Sequence, residues 1–293
     1  MAKSKLAVNC EYGALRFVCG VVNLIPYGCA CLIAKAIARG AFAAGFKRKR
    51  TLERIRSVFP DISDSDARRI AVSSLANLLQ TAVEMIRAPK LTRKWMDEHV
   101  VEGEKYADRL REIVARGRGA VIMVPHSGNW YMAAWAMAKY GAPLFAIAAR
   151  QRNPKIDAWM NRQYGDVEVL DRDCRDTLGK IKSYLGEGRA FAILPDLRVR
   201  KRDVEADFFG GRANVSRAGA MFAVRCGVPV VVASMTRENG RHVLTHLATI
   251  ESAGRNAADL TREVMKLLSD FVMKHPGDWY WYNKRWILEP PEE

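Results

Sequence analysis

Two hydropathy patterns divide the chain. From residue 120 onward, short apolar runs of strand length alternate with amphipathic helical stretches. Strands are predicted at 120–124, 144–149, 167–170, 190–194 and 228–233, with helices between them at 129–139, 155–164, 176–186 and 216–225. This alternation predicts an α/β fold with a mixed, mostly parallel central sheet flanked by helices on both faces. Asn239-Gly240 separates the runs 230–237 and 242–250, a hairpin signal that adds an antiparallel edge. A closing helix at 256–274 carries Leu260, Val264, Leu267, Leu268 and Phe271 at helical spacing. There is no internal repeat and no low-complexity tract.

The first part of the chain reads differently. Residues 67–86 form an amphipathic helix preceded by Ser63, a capping residue, and closed by Pro89. A second helix spans 104–115 and is stopped by Gly117 and Gly119. Ahead of both, residues 17–34 contain no charge, although Asn23 and Pro26 interrupt the run. At about 18 residues this is the lower end of what crosses a bilayer. Lys35, Arg39, the run Lys47-Arg48-Lys49-Arg50, Arg54 and Arg56 follow. An apolar segment ending in a basic cluster predicts membrane attachment, because anionic lipid attracts each basic side chain by about 1 kcal/mol. Spanning and interfacial placement both fit. So do a buried helical hairpin and a cleaved leader starting at Lys3 and Lys5. The expected organisation is an attachment segment at 1–50 and an α/β domain at 51–293.

Composition narrows the function classes. A chain of 293 residues, 49% apolar, can bury a full core. Its formal charge of +15 favours an acidic partner: nucleic acid, an anionic membrane surface or an acidic protein. The absence of zinc-knuckle spacing, an RNP-like aromatic motif and basic heptads argues against nucleic acid. The six cysteines form no ligand ladder and no disulfide framework, which suits a reducing compartment. His242 and His246 share a strand face without a nearby carboxylate, so no metal site is expected.

The candidate chemistry gathers at strand ends. His126 follows the first strand of the α/β region and stands beside the next helix's amino terminus, which disfavours an imidazolium and suits a general base. Arg150 ends the second strand and Asp196 the fourth, so both can face the same crevice. Phe208-Phe209-Gly210-Gly211 comes next, then Ser216-Arg217 opens a helix, and Trp279-Tyr280-Trp281 and Arg285-Trp286 lie near the carboxyl terminus. Arg150 and Arg217 are candidates for phosphate, which a guanidinium binds through two parallel hydrogen bonds.

Taken in order, these motifs resemble the late acyltransferases of lipid A biosynthesis, the lauroyl and myristoyl transferases. The resemblance rests on the apolar amino terminus, Phe59-Pro60, His126-x-Gly128-Asn129-Trp130, Ala149-Arg150 with Asn153-Pro154, Asp196, Phe208-Phe209-Gly210, Gly227-x-Pro229-Val230 and the tryptophan cluster. It implies a glycerolipid-acyltransferase-like fold and an enzyme on the cytoplasmic face of the bacterial inner membrane. Such an enzyme moves a fatty acyl group from acyl carrier protein to a hydroxyl of a lipid A precursor or related glycolipid. His126 would be the base, Asn129 or nearby helix amides would stabilise the oxyanion, and the donor's phosphopantetheine would leave no need for a cofactor.

One position departs from the family pattern. Where the family places Asp or Glu five residues after the histidine, this chain has Tyr131. Tyrosine orients an imidazole without supplying charge, a loss worth about 3–5 kcal/mol by analogy with the serine-protease triad. Either Asp196 or Glu84 supplies the carboxylate, or the chain is a non-catalytic relative that binds acyl carrier protein or lipid.

Overall fold

A computed structural model describes residues 4–115 and 119–290. Gly117, expected to stop a helix, and Lys3, expected to begin a leader, lie outside the described residues. The amino-terminal part is helical: α1 (Lys5–Leu24), α2 (Tyr27–Ala43), α3 (Arg48–Val58), α4 (Asp64–Arg87) and α5 (Arg93–His99), followed by β1 (Val100–Val101) and α6 (Gly103–Ala115). The alternating region then runs β2 (Ala120–Met123), α7 (Trp130–Lys139), β3 (Leu144–Ala148), α8 (Pro154–Gln163), β4 (Glu168–Asp171), α9 (Thr177–Gly186) and β5 (Ala190–Ile193). It closes with β6 (Val204–Phe208), β7 (Gly211–Val215), α10 (Ala218–Cys226), β8 (Val230–Glu238), β9 (Arg241–Ile250) and α11 (Ala257–Lys274).

The central sheet has seven strands in the order β1-β9-β8-β2-β5-β3-β4. All neighbours are parallel except β8 and β9, the hairpin that Asn239-Gly240 predicts. Both turn residues take positive φ, +50° at Asn239 and +79° at Gly240, as a tight hairpin demands. β5 enters between β2 and β3, so the chain doubles back beside β2 and opens a crevice at its carboxyl end. Period-two alternation divides the strands between two cores. Ile122, Leu144, Ala190 and Val231 pack with Met132 and Ala136 of α7 on one face. Val121, Phe145, Phe191 and Val230 pack with Phe222 of α10 and Val264 of α11 on the other.

Besides α3, which the sequence presented only as a basic cluster, the β6–β7 hairpin, α5 and β1 were not expected from the sequence. The β6–β7 hairpin alternates buried Val204, Ala206 and Phe208 with exposed Glu205 and Asp207, a strand pattern masked by its charged residues. α5 is a single amphipathic turn and more, capped by Thr92. β1 is two residues long and acquires its state by pairing with β9.

The amino-terminal apolar run is broken where its sequence interrupts it. α1 ends at Leu24 and α2 begins after Pro26. Among the described residues no single helix is long and apolar enough to cross a membrane, and α2 meets α3 at 94°. A stripe of Ala30, Ala34 and Ala38 lets α2 lie close against α4. The opposite surface leaves Leu32, Ile33 and Ile37 of α2 exposed, with Phe17 and Leu24 of α1.

Part of the basic cluster is used internally. Arg54 is buried, donates from Nη1 to the carbonyls of Trp281 (3.1 Å) and Asn283 (2.6 Å), and lies 5.0 Å over the Trp286 ring. Lys47 donates to the Tyr282 carbonyl at 3.3 Å, and Arg56 pairs with Asp64 at 2.7 Å. The Arg54 and Lys47 contacts strap the carboxyl-terminal tryptophan segment onto α3, and the Arg56 pair ties α3 to the start of α4. Arg54→Ala leaves buried carbonyls without donors and removes the stack, so it is expected to destabilise folding by about 2–4 kcal/mol. Denaturant unfolding with an unchanged m value is the check.

Candidate active site

Strand register builds the site. β2 and β5 pair in parallel from Ala120↔Ala190 to Met123↔Ile193. His126 and Asp196 stand at the same offset of 70 positions, so the register that pairs the strands also delivers the two side chains to one point. Pro125 cannot donate a ladder hydrogen bond, and the chain leaves the sheet there. The Asp196 carboxylate, fully buried, accepts from the His126 ring Nδ1 at 2.7 Å, from the His126 backbone N–H at 2.7 Å and from the Trp279 indole N–H at 2.8 Å. A carboxylate can only accept, so Nδ1 carries a ring proton, and in the neutral ring this tautomer leaves the lone pair on Nε2. The His126 side chain is 16% exposed.

The carboxyl-terminal segment completes the wall. Tyr280 N–H donates to the His126 carbonyl and Gly128 N–H to the Asp278 carbonyl, each at 3.0 Å, with a bridge between Ser127 and Trp279. Gly128 takes φ +56°, and a Cβ there would collide with the Met235 carbonyl. Thus the turn after β2 is pressed between β8 and the tryptophan segment.

His126 also lines a cavity of about 890 Å³ between α7 and the sheet. Its sheet wall includes the small side chains of Ala146, Ala148 and Ala192 with Val169, and Ala133 and Ala134 line it from α7. Alanine at these positions leaves a slot where larger residues would fill the core. Ile122, Met137 and Val167, all buried, also line this cavity, whereas exposed Arg172, Arg200 and Lys201 mark a solvent-facing part of its wall. The cavity is therefore an apolar tunnel with a basic opening and an imidazole on its wall.

Tyr131 belongs to that tunnel and not to the acid–base pair. It lies on the first turn of α7, stacked 5.8 Å from Trp135, tilted 5.4 Å from Trp130 and 6.2 Å from Tyr164. Burial raises its phenol above the ordinary value, so it is neutral. Asp196, arriving from β5, occupies the place on Nδ1 that the sequence assigned conditionally to position 131.

The remaining candidates separate. Arg150 pairs with Asp171 at 2.6 Å and Arg217 with Asp203 at 2.9 Å, and neither lines the tunnel. Arg198, Arg200, Lys201 and Arg285 do line it. Asn129 is fully buried: its Oδ1 caps α7 by accepting from Met132 N–H at 3.0 Å, and its Nδ2 donates to Glu84 at 2.6 Å. Asn129 is not among the residues that line the tunnel, so its amide is placed to cap α7 and hold Glu84 and not to meet an oxyanion there. Glu84 meets Arg237, not His126. His242 and His246 diverge, one to Glu84 and the other to Thr249. Trp279, Arg237 and Asn77 are structural partners of the site that sequence reasoning missed. For Trp279 the signal was its place in an aromatic cluster, which reads equally as core.

A family model described as bacterial lipid A biosynthesis acyltransferase matches residues 9–287. The phosphatidylinositol mannoside acyltransferase of Mycolicibacterium smegmatis is 23% identical over 274 residues, covering 88% of each chain. That of Mycobacterium tuberculosis is 23% identical over 216 residues, 71% of this chain and 67% of its own. Lipid A biosynthesis acyltransferase 2 of Shigella flexneri is 24% identical over 252 residues, 81% of this chain and 76% of its own.

Two predictions follow from the geometry. Asp196→Asn removes the charge beside Nδ1 and admits the wrong tautomer, so His126-dependent turnover should fall about a thousandfold or more, while Tyr131→Phe stays within about threefold. Steady-state rates of the two variants decide between the carboxylate and the phenol. The second concerns Asp278, whose carboxyl burial pushes up to about 6 from an ordinary 3.8. The folded state then binds this proton more tightly than the unfolded state, and stability falls as pH rises between about 4 and 6. Asp278→Asn should therefore gain roughly 1–2 kcal/mol over the parent at pH 8 and lose that gain below about pH 4, measured by urea unfolding across pH.

Proposed function

The chain belongs to the bacterial lipid A biosynthesis acyltransferase family, acyltransferases that act on lipid or glycolipid acceptors, and from that premise we propose that it moves a fatty acyl group from acyl carrier protein to a membrane glycolipid hydroxyl. One observation carries this reading: an imidazole oriented by a buried carboxylate stands on the wall of an apolar tunnel. The tunnel has the chemistry to take an acyl chain, and His126 stands where the thioester carbonyl of that chain would arrive.

In this mechanism His126 Nε2 takes the proton of the acceptor hydroxyl as its oxygen attacks the thioester carbonyl. Asp196 stabilises the imidazolium that forms, through the Nδ1 hydrogen bond. The tetrahedral intermediate expels the phosphopantetheine thiolate, which receives the proton back from His126. The products are an ester and a thiol, and no acyl-enzyme is needed. The basic opening formed by Arg172, Arg200, Lys201 and Arg285 suits the donor's phosphate and an acidic carrier surface.

The acceptor is a lipid A precursor or a related glycolipid, in keeping with relatives named for lipid A and for a mannoside of phosphatidylinositol. The exposed apolar residues of α1 and α2, with Lys35 and Arg39 beside them, hold the protein to the cytoplasmic face of the bacterial inner membrane through anionic lipid.

Incubating purified protein with acyl carrier protein thioesters and glycolipid acceptors tests the reading. Transfer that disappears in His126→Ala is the expected result. Transfer equal to that control, or gained only in Tyr131→Glu, overturns it. Ala146→Phe should narrow the tunnel and reduce kcat/KM for long acyl chains by on the order of tenfold or more relative to short ones, read by competition between chain lengths.

A further inference from the structure

Behind the catalytic turn lies a second buried centre. The Glu84 carboxylate of α4 is fully buried and gathers donors from four elements. Oε1 receives the Tyr27 hydroxyl at 2.7 Å, Arg237 Nη1 at 2.5 Å and His242 Nε2 at 3.1 Å. Oε2 receives Arg237 Nη2 and the Asn129 amide, each at 2.6 Å. Burial alone would raise this carboxyl, but its charged and hydrogen-bonded neighbours hold it well below the usual range. Burial holds His242 down, so the cation of the pair is Arg237.

The same centre grips the backbone of the catalytic turn. Arg237 Nε donates to Asn77 Oδ1 at 2.6 Å, which fixes that amide. Asn77 Nδ2 then donates to the carbonyls of Gly128 and Asp278, each at 2.9 Å. Gly128 and Asn129, two and three residues beyond His126, are therefore both held by one ionic cluster, the first through Asn77 and the second directly. Asp196 orients the ring from one side, and this cluster holds the turn two and three residues further on from the other. Tyr27 is the first residue of α2, so the amino-terminal helices are wired into the same centre.

Resting on His126 as the base, we propose that Glu84 and Arg237 are positioning residues that hold His126 in line with Asp196, and that Tyr27 makes this alignment depend on the docked state of α2. A buried pair of this kind is a poor source of net stability, because desolvating two ions consumes most of their attraction. What it does supply is geometry: five donors on two oxygens admit one arrangement of the turn, and a shift of about 1 Å at a base costs on the order of a hundredfold in rate.

Tyr27→Phe is the mild test, since it removes one hydrogen bond and leaves the ion pair. Expected are a kcat lower by about 3–10-fold, a donor KM within about twofold and a displaced downfield Nδ1–H proton resonance of His126. Asn129→Ser keeps a helix cap while cutting the link to Glu84. It should act in the same direction, and Tyr27→Phe added to it should cost less than about twofold more. Tyr106→Phe, which deletes a buried hydroxyl with no partner among the described residues, serves as the control and should leave all three readouts unchanged. An unmoved resonance in Tyr27→Phe overturns the proposal, whatever happens to kcat or melting temperature. So does full additivity with Asn129→Ser. The resonance is read without turnover, so a failure of His126→Ala to abolish transfer would count against the general-base reading separately.

Discussion

Three N–H donors converge on the Asp196 carboxylate, and the site depends on that convergence. One comes from the His126 backbone, one from its ring and one from Trp279. The contact joins the ends of two adjacent parallel strands to a segment more than 80 positions away in sequence. It exists because β2 and β5 pair in a register that continues past their ends. A one-residue slip would turn one of the two side chains to the opposite face and leave a buried carboxylate without its partners.

The tunnel and Tyr131 are two aspects of one arrangement. Alanines at 146, 148 and 192 withdraw side-chain volume from the α7 face of the sheet, and the aromatic group of Trp130, Tyr131, Trp135 and Tyr164 walls the resulting space. With Asp196 already on Nδ1, position 131 is released from orienting the ring and serves the apolar wall. A neutral side chain there keeps the tunnel free of a buried charge that would have to be desolvated beside an acyl chain.

Polar chemistry in this molecule is sorted by burial. Arg150, Arg217 and Arg56 form exposed pairs with carboxylates, which contribute little to stability. Arg54, buried, and Arg237, largely so, tie distant segments together, one to backbone carbonyls of the tryptophan segment and the other to Glu84.

Much of this was legible in the residues. The β–α alternation after Gly119 and the Asn239-Gly240 turn led to most elements of the central sheet within a residue or two, because hydrophobic period and turn chemistry are local, while the charged β6–β7 hairpin escaped the same pattern. The strand-end placement of His126 and Asp196 followed from the same periodicity. Other features were beyond reach. That β5 lies beside β2, making Asp196 the partner of His126, is a property of strand order, which local pattern does not encode. Glu84 stood out only as a possible carboxylate for His126, and Arg237 and Asn77 looked like ordinary polar positions on a strand and a helix. Their role arises only when folding removes water from all of them at once and makes them satisfy one another's hydrogen bonds together with the turn and helix beside them.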